Sequence, residues 1–96
     1  MYFVALCTDK PDHLQTRLDT RPAHLDFLKS HSAAIKIAGP LLAADGETPN
    51  GSMLVLECAD AEAAKALLAQ DPYAQAGLFA SVEVKPWRWT IGVPAV

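Results

Sequence analysis

Four apolar runs and two helix-period segments, in one order, constrain this chain more than any single motif. Tyr2–Thr8, Ala34–Pro40, Met53–Cys58 and Phe79–Trp89 are rich in aliphatic and aromatic residues without a helical period, so each is expected to be a strand. Between the first two, from His13 to His31, Leu14, Leu18, Leu25 and Leu28 fall on one narrow stripe at about 100° per residue. Between the last two, Ala61–Gln70 is alanine-rich, with Asp60 placed to cap it and Ala64, Leu67 and Leu68 expected on its buried side. The order is strand, helix, strand, strand, helix, strand. With right-handed crossovers it predicts a single α+β domain over residues 1–96, a ferredoxin-like antiparallel sheet with both helices on one face.

The punctuation between these segments places the polar residues. Asp9-Lys10-Pro11-Asp12 is a turn, with Asp12 expected as the N-cap of the first helix. Ala44–Gly51 contains Asp-Gly and Asn-Gly pairs and is expected to be a loop. Asp71-Pro72 stops the second helix and starts a short turn through Gln75, after which Gly77 frees the chain to enter the last strand. Pro22 lies inside the first helical segment, so a kinked helix, or two helices nearly in line, is expected there. His24 then falls in the first turn after the break, where free backbone N–H groups favour anions. Arg17, His24 and His31 form a row beside the leucine stripe, and Arg21 lies close to the stripe itself. The topology brings His24, the Gly39–Gly51 loop and Asp71 to one edge of the domain.

Two helices cover only one face of a four-stranded sheet, and these strands are apolar on both faces. A second copy of the chain, a homodimer, is therefore the expected cover. Hydrophobic residues make up 51% of the chain and charged residues 20%, a globular composition. The net charge is −3 without any Lys/Arg run, which argues against nucleic acid or an anionic membrane as a partner. The apolar start lacks a basic region and a cleavage pattern, and no run is long enough to span a bilayer, so a cytoplasmic location is expected. Cys7 and Cys58 show no CxxC or Cys/His ligand spacing. Ending strands one and three at opposite edges, they are expected to be free thiols, with no metal bound.

Arg21-Pro22-Ala23-His24-Leu25, Ala38-Gly39-Pro40, Asp71-Pro72-Tyr73-Ala74-Gln75-Ala76-Gly77 and Val82-Glu83-Val84-Lys85-Pro86 occur in that order, and together they resemble the YciI-related (YCII) family from Tyr2 to about Trp89. The resemblance implies a dimeric α+β barrel built from ferredoxin-like protomers. It implies an active site with a His–Asp pair, here His24 and Asp71. It also implies kinship in fold with muconolactone-isomerase-like enzymes, and the family includes a member that removes HCl from a chlorinated hydroxyhydroquinone. Kinship in fold does not carry activity by itself.

A carboxylate fixes the tautomer of an imidazole and stabilises its protonated form, whereas a helix N-terminus and Arg17 or Arg21 oppose protonation. Asp71 also has an ordinary structural role open to it, as the N-cap before Pro72. Arg21 is expected to anchor an anionic or enolate oxygen, or else to be solvated or paired with an Asp. Tyr73 is placed to offer its hydroxyl to the cleft or simply to pack, and Gly39 and Pro40 are expected to line the ligand site. Trp87 and Trp89 are assigned to dimer or core packing, His13 and His31 to the surface, and Cys7 is not proposed as a nucleophile. No cofactor is expected, and the ligand is a small molecule, anionic or phenolic. Two functions follow from these residues. One is a small lyase or isomerase in which His24 takes a proton from a cyclic or aromatic substrate. The other is a non-catalytic small-molecule-binding or accessory module.

Overall fold

The computed structural model describes residues 1–93; the expected domain runs to residue 96, and 94–96 lie outside the described residues. Strand β1 (Tyr2–Asp9) leads into helix α1 (Leu14–Ser30) and strand β2 (Ile35–Leu42). Strand β3 (Pro49–Glu57), helix α2 (Ala61–Ala69), the one-turn helix α3 (Pro72–Gln75) and strand β4 (Phe79–Trp87) follow. The sheet order is β2-β3-β1-β4 and every neighbouring pair is antiparallel, which is the ferredoxin-like arrangement. The two edge strands, β2 with Pro40 and β4 with Pro86, carry proline within their length, where a missing N–H leaves no central ladder bond unmade, and the central β3 carries one only as its first residue, Pro49.

The core lies between the sheet and the helices. Phe3, Ala5 and Cys7 alternate inward along β1 and stand opposite Leu56, Leu54 and Ser52 on β3. Phe27 from α1 and Ala64 and Leu68 from α2 close over them. The side chains between them point to the other face: Val4, Leu6 and Met53 are half-buried, and Ile37 is 41% exposed. Asp60 caps α2 by accepting from the Ala63 N–H at 2.8 Å, and Asp71 caps α3 by accepting from the Tyr73 N–H at 2.9 Å.

Several expectations are corrected. Helix α1 runs unbroken through Pro22, so His24 sits in mid-helix rather than at a fresh N-terminus, and the free N–H groups expected beside it do not exist. Pro22 is exposed, and what it removes from α1 is one hydrogen-bond donor, which the turns on either side tolerate. Asp12 does not cap the helix: its φ of +60° is left-handed, and His13 occupies the cap position without a side-chain bond to the helix N–H groups. The leucine stripe is not the buried face. Leu14, Leu18 and Leu25 are 38–49% exposed, while Arg17, His24 and Phe27 turn inward. Strand alternation would put Ile35 and Ile37 on one face, but an irregularity between them sends Ile35 to the core side and Ile37 to the open side. Strand β3 begins at Pro49, inside the expected loop, and β4 stops at Trp87. Trp87 and Trp89 stay out of the core: they pack on each other at 5.4 Å, and Trp89 meets Tyr2 edge-on at 5.6 Å.

Candidate active site

The inward row of α1 meets α3 and the lower halves of β1 and β3, and a polar chain forms where they join. Asp71 is 1% exposed and His24 8% exposed. The His24 Nδ1–H donates to Asp71 Oδ1 at 2.9 Å, the same oxygen that caps Tyr73. An ionised carboxylate only accepts, so the bond fixes the proton on Nδ1 and leaves the lone pair of a neutral imidazole on Nε2. Asp71 Oδ2 is buried with no hydrogen-bond partner among the described residues. That carboxylate charge is felt at Cys7, whose thiol pKa is pushed up to about 12, first by burial and then by Asp71.

Tyr73 organises the centre. Its ring stacks on the His24 imidazole with centroids 4.0 Å apart and planes 19° from parallel, and the Arg17 guanidinium carbon lies 4.6 Å from the same ring centre. Two helical turns, about 10.5 Å of rise, separate Arg17 from His24 along α1, and Tyr73 fills that gap. Burial pushes the Tyr73 phenol above its ordinary pKa despite the opposing charges of Arg17 and Arg21, so it stays a neutral hydroxyl.

Arg17 is 4% exposed. Its Nε–H donates to Asp9 Oδ2 at 2.7 Å, and Nη2 donates to Asp9 Oδ1 and to Ser52 Oγ, both at 2.9 Å. Burial works against this charge, but the Asp9 hydrogen bonds and carboxylate more than offset it and hold the guanidinium above its ordinary pKa. Beside this chain lies a cleft of about 150 Å³. Arg17, Arg21, His24, Tyr73 and Ser52 form its polar lining, and Leu18, Leu25, Pro40 and Pro49 its apolar walls.

The structure thus brings His24, Asp71 and Tyr73 together and sets Arg21 and Pro40 on the same cleft. Gly39 is not there: it stands opposite Met53 on the other face of the sheet, whereas Pro40 stands opposite Ser52 on the cleft side. Arg17 and Ser52 were not picked out as ligand residues by the sequence reasoning. For Arg17 a signal existed, since it lies one heptad before His24 in the row beside the stripe. Ser52 had none, because its place depends on β3 starting earlier than its composition suggests. Among the described residues no group of His, Cys, Asp and Glu is arranged to hold a metal ion. Cys7 and Cys58 are both free thiols, at opposite ends of the β1–β3 ladder.

Comparison with known proteins places the chain in a family and its fold among solved structures. Solved structures with the same α+β fold include one described as an antibiotic biosynthesis monooxygenase, from Bacteroides thetaiotaomicron, at a TM-score of 0.61 and 13% identity over 100% of this chain and 94% of that one. The profile of the YCII-related domain matches residues 1–88, and the chain belongs to that family. It is 38% identical over 95 residues to protein YciI of Escherichia coli, covering 92% of this chain and 97% of that protein. It is 40% identical over 95 residues to an uncharacterised protein of Haemophilus influenzae, with the same coverage. It is also similar to the 5-chloro-2-hydroxyhydroquinone dehydrochlorinase TftG of Burkholderia phenoliruptrix, solved in complex with 2,5-dihydroxybenzoquinone. There the TM-score is 0.84 and the identity 35%, over 92% of this chain and 94% of that one.

Proposed function

We propose that this protein is a lyase- or isomerase-type enzyme acting on a small cyclic or aromatic oxygenated compound, with His24 as general base and Asp71 as the residue that orients it. The observation that carries this reading is the buried 2.9 Å bond from His24 Nδ1 to Asp71 Oδ1, which leaves Nε2 as the basic nitrogen on the cleft. The likeness to TftG, a dehydrochlorinase of a hydroquinone, supports the substrate class.

In this reading Nε2 removes a proton from the ring compound. The electron pair of that bond moves toward a ring carbonyl, and the enolate oxygen that develops is met by Arg21 at the cleft. In a lyase the pair then expels a leaving group such as chloride; in an isomerase the proton returns at another carbon. Asp71 stabilises the imidazolium formed meanwhile. Tyr73 holds the imidazole plane by stacking, and Pro40 closes one wall. The open sheet face, with Val4, Leu6, Ile37 and Met53, is covered by a second copy, making a homodimer. Two free cysteines fit a reducing, cytoplasmic setting.

The test is chloride release from 5-chloro-2-hydroxyhydroquinone and solvent-deuterium entry into the ring of 2,5-dihydroxybenzoquinone. His24→Ala is expected to slow whichever reaction occurs by about 10²- to 10⁴-fold in protein shown by its melting curve to be folded, and to melt at lower temperature because it leaves the buried Asp71 carboxylate without its side-chain partner. Undiminished turnover in that variant would sink the assignment. Tight binding without turnover in the wild type would favour the non-catalytic module.

A further inference from the structure

We infer that Arg17, not only the exposed Arg21, anchors the ligand, and that the cleft selects a ring compound bearing an anionic oxygen held by Arg17 Nη1 and Ser52. This rests on the reading of the cleft as a substrate site and adds to it the charge and binding mode of the ligand.

The first support is the unused edge of a buried guanidinium. Nε and Nη2 are taken by Asp9 and Ser52, the Tyr73 side chain lies against the same guanidinium and shares in its hydrogen bonding, and Nη1 donates to neither Asp9 nor Ser52, while the residue lines the cleft. A guanidinium carries five donors and stays charged at every working pH, so its free N–H groups seek an acceptor that is itself anionic or strongly polar. Ser52 accepts from Arg17 and keeps its own O–H to donate to the same ligand oxygen.

The second support is rigidity. Three hydrogen bonds and the Tyr73 ring already hold Arg17 in place, so little side-chain freedom is lost when a ligand arrives. Arg21 is exposed and has to be ordered on binding. The third is size and charge. A cavity of this volume takes about one benzene-sized ring. The ionisable groups around it are Asp9, Arg17, Arg21, His24, Asp71 and Tyr73. With His24 neutral, Asp9 and Asp71 balance the two guanidiniums in sum, but both carboxylates sit behind Arg17 and His24 and neither lines the cleft, so the charges an incoming ligand meets are the two guanidiniums. An anion seated on Arg17 puts the far side of its ring toward His24, two turns along the helix.

The experiment uses the full chain and two probes at pH 7: 2,5-dihydroxybenzoquinone, whose two acidic enols are both ionised, and hydroquinone, which is neutral. The anion is expected to bind at least about tenfold more tightly, a difference of about 1.4 kcal/mol. In ¹⁵N-labelled wild type it should shift the Arg17 side-chain N–H signals and slow their exchange. Ser52→Ala, which leaves the Arg17–Asp9 pair intact, should weaken the anion severalfold and leave hydroquinone unchanged. Arg17→Lys should remove the preference, and because that variant loses the fork to Asp9 and can lose its fold, the wild-type signals decide on their own. Arg17 signals that stay still while His24 signals move would overturn this inference and leave the general-base reading standing. Arg17 moving while His24 stays still would do the reverse. No binding at millimolar probe, or equal affinity for the two probes, also overturns it.

Discussion

The two faces of the sheet are built from the same strands and differ in one respect. On the helix side, Phe3, Ala5, Cys7, Leu54 and Leu56 are fully covered within the chain, and the polar residues that join them each find a partner from another element. On the other side only the Val55 side chain is fully covered; Val4, Leu6, Met53 and Ile37 are as apolar but only partly covered, and Lys85 and Glu83 of β4 stand opposite Val4 and Leu6. The covered face is complete in one copy and holds the cleft. The open face has the composition of an interior without its cover, which is what a surface awaiting a partner looks like.

The sharpest way to break this contrast is to truncate one side and charge the other. Leu54→Ala removes a fully buried side chain and is expected to cost about 2–5 kcal/mol in a denaturant melt, whatever the protein concentration. Leu6→Glu is expected instead to change association. Wild type should sediment at about 20 kDa, twice the 10.3 kDa of one chain, and the variant should run as a single folded copy. A wild type that stays monomeric at micromolar concentration would mean that the open face needs no second copy.

A smaller effect is expected at Gly51. It lies where β3 passes between β1 and β2, and a Cβ there would come within 2.5 Å of the Cys7 carbonyl oxygen, a backbone atom that cannot swing aside. Gly51→Ala should therefore push the central strands apart and cost about 1–3 kcal/mol. Gly46→Asn, in a turn with φ of +73° and open space around it, should cost far less. Equal losses at both sites would show that the β1–β3 spacing is soft.

The same residues show how far the sequence could be read. The order of elements and the caps at Asp60 and Asp71 were legible because they rest on short-range chemistry: period, a polar cap, a proline at the start of a turn. So was the approach of Asp71 to His24, since a right-handed crossover leaves little choice. The inward face of α1 was not. Periodicity weighs leucine against arginine and assumes that arginine points out. Here Arg17 is made tolerable inside by Asp9 and Ser52, one far earlier and one far later in the chain. Gly51 was taken for a turn signal because Asn-Gly is one, and only the packing of three strands shows why a glycine stands there.

The smallest expected effect concerns the thiols, both on the covered side but at different depths. Cys7 lies in the covered face, and its pKa of about 12 is set first by burial, next by the Asp71 charge, and opposed by Arg17. Cys58 is half-buried at the far end of the β1–β3 ladder, and burial again raises it, by less. A thiol whose folded pKa lies above its unfolded value of 9.0 binds its proton more tightly in the native state. The stability this contributes is complete below pH 9 and shrinks as the pH rises toward about 12. Near neutrality, then, Cys7→Ser should show no change in the pH dependence of unfolding. Between pH 9 and the upper limit of folding, wild type should lose stability faster than Cys7→Ser, because the serine has no proton to lose in that range. Alkylation at pH 8 should label Cys58 slowly and leave Cys7 untouched until the protein unfolds. Rapid labelling of Cys7 in the native state would show that the covered face opens, and would remove the distinction between the two faces at the strand that carries Gly51's neighbour.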